Sequence, residues 1–160
     1  MARDPTGPPP VAPLSQRQID ELLGIEVPAH LASIDPSGFP RLTPIWFLWK
    51  DGAFYMTSFR NKPHVRNLRR DPKASVCVDV ERLAPDGQRP NQQVKGAGEA
   101  HLYPDEGGLV TRAITLKYVR GPLAAGEAER RGRMDRLVIR IEPRRLVGLA
   151  GGPPTGLEAR

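Results

Sequence analysis

The chain has 160 residues, 39% hydrophobic and 26% charged, which suits one domain with its own core and excludes a disordered or fibrous class. A formal net charge of +6, from 24 Lys and Arg against 18 Asp and Glu, points to an anionic partner, either a phosphorylated ligand or nucleic acid. One cysteine, Cys77, excludes an internal disulfide and fits a reducing cytosol, and no apolar run has signal-peptide or membrane-span character, so a soluble cytoplasmic protein is expected.

Residues 1–14 carry five prolines and read as an extended N-terminal arm. Ser15-Gln-Arg-Gln18 has the form of a capping box, followed by a short helix with Ile19, Leu22 and Leu23 on its apolar face. His30 to Asp35 reads as a strand, and Asp35-Pro-Ser-Gly38 as a type I turn. Phe39 to Lys50 reads as the longest strand, apolar on both faces, which places it centrally or leaves one face for a ligand or subunit. Pro44 removes a ladder donor and predicts an irregularity there. Asp51-Gly52 predicts a hairpin to Ala53–Ser58. A basic helix follows and stops at Asp71-Pro72.

Ala74 to Val80 is the next strand, Glu81 to Gln92 a loop, and Gln93 to Tyr103 a strand whose Gly96 and Gly98 suit a bulge or a close backbone approach. Asp105 to Val119 reads as a helix with Leu109, Ala113 and Leu116 inward. Leu123 to Gly132 is a charged helical segment. Arg136 to Glu142 is a last strand, kinked by Pro143, and residues 150–160 form a Gly- and Pro-rich tail. Six strands, mostly hairpin-linked, with few helices predict a mainly β, antiparallel barrel with helices at its edges, over residues 15–149.

Chemistry concentrates in Phe54 to Arg70. A strand ends in the hydroxyls of Thr57 and Ser58, the cations Arg60 and Lys62 follow, and the helix then carries Arg66 and Arg69. At 100° per residue Lys62, Arg66 and Arg69 share a stripe about 60° wide, while Val65 and Leu68 share another face. Hydroxyls, guanidinium forks and a helix N-terminus make a phosphate seat. The ordinary alternative is a solvated basic face. Sparse aromatics among residues 62–70 argue against nucleic acid.

One Cys and three scattered His exclude a local zinc pattern, and no P-loop or Gly-x-Ser-x-Gly elbow is present. His30, His64 and His101 read as structural or exposed. Trp46 has two readings, packing or contact with a planar ligand. Tyr118 is a candidate proton donor, with packing as the usual role of a helical tyrosine.

Several segments, in their order and spacing, carry a resemblance. They are Leu31 to Phe47, Phe54-Tyr-Met-Thr-Ser58, Lys62 with Val65 to Pro72, and Gln93-Val-Lys-Gly-Ala-Gly-Glu99. The chain resembles the pyridoxamine 5′-phosphate oxidase-like split β-barrel superfamily, and within it the flavin and deazaflavin oxidoreductases that bind FMN or coenzyme F420. The resemblance implies a homodimer with two cofactor sites at the subunit interface. It implies that Arg41, Thr43, Pro44, Ile45 and Trp46 lie along the cofactor ring and that Thr57 and Ser58 approach the phosphate. It assigns the phosphate cations to Arg60 and Lys62, with Arg66 beyond them, and a cofactor contact to Gln93. No histidine follows His101, so the C-terminal Arg and His that hold substrate in the oxidases proper are not matched. The spacer in Arg60-Asn-Lys62 favours F420 over FMN. The expected activity is hydride transfer between reduced F420 and a small molecule, without a metal, a membrane or nucleic acid. The alternatives are an FMN-binding reductase or oxidase-like protein, and a non-catalytic flavin or tetrapyrrole module.

Overall fold

Segments with apolar residues at every second position supply most of the secondary structure, in a computed structural model that describes residues 11–83 and 85–151. The strands are β1 (Val11–Pro13), β2 (Ala29–Ile34), β3 (Pro40–Ile45), β4 (Phe47–Lys50), β5 (Ala53–Ser58), β6 (Lys73–Glu81), β7 (Asn91–Pro104) and β8 (Leu137–Gly151). The helices are α1 (Gln16–Gly24), α2 (Pro63–Arg70), α3 (Leu109–Tyr118) and α4 (Ala124–Gly132), with single 3₁₀ turns before α3 and α4. All strands join one antiparallel sheet in the order β3-β2-β6-β7-β8-β5-β4, and β1 pairs with β8. The sheet curls around a single core that includes Leu31, Phe47, Phe54, Met56, Val76, Val94, Ile139 and Ile141. Burial of each such side chain contributes about 1.5–3 kcal/mol. The fold is the split-barrel α+β type.

Two expectations about strands are corrected. The sheet has eight strands, not six. The additions are β1 and the division of Phe39–Lys50 at Trp46 into β3 and β4. Those two halves are not central; they lie at opposite edges of the sheet, joined through one residue. Pro44 is accommodated because β3 is an edge strand, where a missing ladder donor costs little. Phe39 and Leu42 are correspondingly exposed, at 67% and 69%.

Most local expectations hold. The Ser15 hydroxyl accepts from the Gln18 amide, and the Gln18 side chain accepts from the Ser15 amide at 2.9 Å, a complete capping box. The Asp51-Gly52 turn has φ of 50° and 74°, the left-handed pair that a two-residue hairpin requires. Opposite Gly98 the register shifts, and a Cβ there would meet the Glu142 carbonyl oxygen at 2.4 Å. The bulge and the close approach are therefore the same feature. Beyond Pro143, β8 continues unbroken to Gly151. Of the N-terminal arm, residues 1–10 lie outside the described residues, and Val11–Pro13 form β1; of the tail, residues 152–160 lie outside them too.

Helix α3 is turned relative to expectation. Its buried residues are Thr111, Ile114 and Thr115, while Leu109 and Leu116 are 70% and 50% exposed and Ala113 is exposed. A carboxylate explains the orientation. Asp105 accepts from the backbone amides of Val110 and Thr111, at 3.0 and 2.9 Å, and from the Thr111 hydroxyl at 2.6 Å. That cap draws Thr111 inward and outweighs the apolar pattern. No helix among the described residues is long and apolar enough to cross a membrane.

Candidate functional site

Where β3 breaks into β4, the chain is pinned by a tyrosine. Tyr118 stacks on Trp46, ring centroids 4.7 Å apart and planes parallel. Its hydroxyl donates to the Val27 carbonyl at 2.8 Å and accepts from the Phe47 amide at 3.3 Å. Burial pushes its pKa up to about 12. A phenol so committed is a structural strut, which leaves it unsuited to proton donation. Beside it the Lys117 ammonium donates to the Leu23 carbonyl at 2.8 Å and sits 3.9 Å from the Phe47 ring centre.

The break opens onto a cleft of about 400 Å³. Thr43, Pro44, Ile45 and Trp46 line it from the β3 side, Thr57 and Ser58 from the end of β5, and Lys62 from the start of α2. The sequence had nominated all seven. The other four nominees do not line it. Arg41 is bound to Asp35 at 2.8 Å, Arg60 makes a two-point contact with Asp135, and Arg66 donates to the Asn61 carbonyl at 2.7 Å. Gln93 lies within β7, opposite Asp79 and Leu149.

Long-range packing brings in residues that the sequence did not single out as a site. The inner face of α3 contributes Thr111, Ile114 and Thr115; Pro28, Phe59 and His64 add to the wall; Arg131 and Arg136 complete it. The Ser58 hydroxyl and His64 Nε2 are 2.7 Å apart in a buried pair. Burial, and then the Lys62 charge, hold His64 below the ordinary histidine pKa, so the imidazole is neutral at physiological pH. Thr57 and Thr111 hydroxyls are 3.1 Å apart, and Thr111 in turn serves Asp105. The hydroxyls at the strand end are thereby oriented from behind by helix residues. Only the run of arginines between Arg130 and Arg136 could have signalled the last two residues.

Among the described residues no carboxylate lines this cleft, whereas Lys62, Arg131 and Arg136 do. Adjacent hydroxyls, a helix start without a side-chain cap and three cations fit the phosphate of a flavin-type cofactor.

The model of the pyridoxamine 5′-phosphate oxidase family matches residues 15–149. The chain belongs to this family. Membership places it broadly among flavin-related oxidoreductases. A comparison with curated protein sequences returns no match. Among solved structures, a conserved hypothetical protein of Mycobacterium tuberculosis is 23% identical, with a TM-score of 0.69 and 84% of each chain covered. A FAD-binding protein of Mesorhizobium loti is 20% identical, with a TM-score of 0.63, covering 89% of this chain and 99% of that one. An F420 reductase is 24% identical, with a TM-score of 0.57, covering 79% and 94%. At these identities the likeness is one of fold.

Proposed function

We propose that the protein is a reductase that holds the deazaflavin F420 in this cleft and directs hydride transfer to a small electron-poor molecule. The observation that carries the proposal is a cleft lined, among the described residues, by two strand-end hydroxyls and three cations but no carboxylate. When bound, the cofactor supplies the hydride chemistry. The chain's own residues bind and orient. Lys62 and the Thr57 and Ser58 hydroxyls meet the phosphate, and the Thr43–Trp46 wall, stiffened by Tyr118, flanks the ring. F420 is favoured over FMN by the resemblance and by the cationic surplus. FMN ends at one phosphate, whereas F420 continues into carboxylates. Arg66 and Arg69 on the exposed face of α2 extend positive charge roughly 6 and 10 Å beyond Lys62 along the helix. A homodimer with sites at the subunit interface is part of the same proposal, supported by the exposed Phe39 and Leu42 on the β3 side.

Side-by-side titrations of F420 and FMN at low and high salt test the choice of cofactor. F420 is expected to bind more tightly, with a margin that shrinks as salt screens the exposed cations. Tighter FMN binding at both salts would transfer the proposal to the FMN reading. Lys62→Ala is expected to weaken binding about tenfold or more. Steady-state consumption of reduced cofactor distinguishes an enzyme from a binding module.

A further inference from the structure

Arg131 and Arg136 are the least compensated charges of the cleft. Their Nε atoms are buried and have no hydrogen-bond partner among the described residues. Both guanidinium groups lie over aromatic rings, Arg131 4.7 Å from the centre of Trp46 and Arg136 4.3 Å from that of Phe59. The strand register explains the second contact. Ser58 pairs with Leu137, so Arg136 falls beside Phe59 at the end of β5, next to the Thr57 and Ser58 hydroxyls. Arg131 approaches from the last turn of α4. Burial first, and then the Arg131 charge, lower the Arg136 pKa below the ordinary arginine value.

Neighbouring carboxylates relieve this only in part: the Asp105 charge raises the Arg136 pKa, but by less than burial and Arg131 lower it. Glu127 is taken by Arg130, Glu129 by Arg112 and Asp135 by Arg60. Asp105 spends its oxygens on the α3 cap. An unpaired buried N–H costs free energy, and two like charges side by side cost more, so the arrangement suits an anion from outside the chain.

We infer that Arg131 and Arg136 form an oxyanion seat at the shared ends of β5 and β8, built for a phosphate group. Two planar forks beside two hydroxyls present donors from several directions, which suits a tetrahedral oxyanion better than a planar carboxylate. The aromatic rings hold the forks flat and lower the entropy lost on binding. The inference rests on the cleft being a ligand site but not on which cofactor fills it.

Inorganic phosphate is the probe, titrated calorimetrically at constant ionic strength into the full chain and its variants. Arg131→Gln and Arg136→Gln are each expected to weaken phosphate binding about ten- to a hundredfold. Arg130→Gln removes the same charge from the exposed, Glu127-paired neighbour and is expected to change it less than about twofold. Arg136→Lys keeps the charge without the fork and is expected to fall between; it also serves if a glutamine variant does not fold, as a thermal melt would report. Equal losses in all three glutamine variants, no loss in any, or no phosphate binding by the parent chain would overturn the seat. The cofactor titrations of the parent chain are separate, so failure of the seat and failure of the F420 reading are distinguishable. The source of the phosphate follows from a second arm. If it belongs to the cofactor, the two variants weaken FMN but not riboflavin, and phosphate competes with FMN. If it belongs to a substrate, phosphate binds the FMN-loaded protein with the same dependence on Arg131 and Arg136.

Discussion

Lys117 places an ammonium in a part-buried position with one carbonyl and an aromatic face as partners, and burial lowers its pKa from 10.5 to about 8. The folded state therefore binds this proton less well than the unfolded chain. Between about pH 8 and 10.5 the unfolded chain holds more protons at this site, so stability rises with pH across that window. Below it the penalty is fully present, and above it the penalty is gone. Denaturant midpoints of the parent and Lys117→Met, compared from pH 7.5 to 10.5, are expected to show the rise in the parent only; parallel curves would refute it. The same scale shows what sequence could deliver. Thr57, Ser58 and Lys62 were legible because a strand end and a helix start five residues apart, Ser58 and Pro63, need no distant partner. The loss of Arg60 to Asp135 was not legible, since the partners are 75 residues apart and meet only in the folded chain. Arg131 and Arg136 were hidden for the same reason.

Among the elements, α1, the hairpin at Asp51-Gly52 and the inner face of α2 were readable because caps, turn dihedrals and 3.6-residue periodicity act locally. Val65 and Leu68 are indeed buried, and His64 and Asn67 join them. α3 was misread because its apolar residues outnumber its buried ones, and a side-chain cap from Asp105 determines the rotation. The position of α4 depends on a contact that no periodicity encodes. Gly108 has φ of 67°, and a Cβ on it would lie 1.9 Å from the Gly132 carbonyl oxygen. Gly108→Ala must push α4, and Arg131 with it, away from α3. We expect a loss of several kcal/mol in stability, by about the sum of left-handed strain and steric displacement, and a weakened ligand affinity in whatever fraction folds. A melting temperature equal to that of the parent would show that the two helices part without cost.

For the whole molecule, the fold class was legible from the succession of hairpin-linked strands, although their count was six rather than eight, and the misassigned long strand was the main error. Its apolar faces were read as central burial or as one face covered by a ligand or subunit, and Phe39 and Leu42 are exposed at an edge. A second copy of the chain covering them is the expected outcome, and light scattering should give about twice the 17.6 kDa of one chain. A mass of one chain in dilute solution would remove the homodimer from the proposal.

Trp46 is a clasp. The two outermost strands are joined by one covalent residue, so the barrel's seam is closed by the backbone itself. On the far side Val11 pairs with Gly151, bringing the two described ends of the chain together. The chain can therefore be rewired. A circular permutant that links β1 to β8 by a short spacer and opens between Ile45 and Trp46 keeps every strand pairing but unfastens the clasp. Far-UV circular dichroism should report an intact sheet, while ligand binding in the cleft should fall sharply. A permutant that binds like the parent would mean that hydrogen bonding and core packing hold the seam without it.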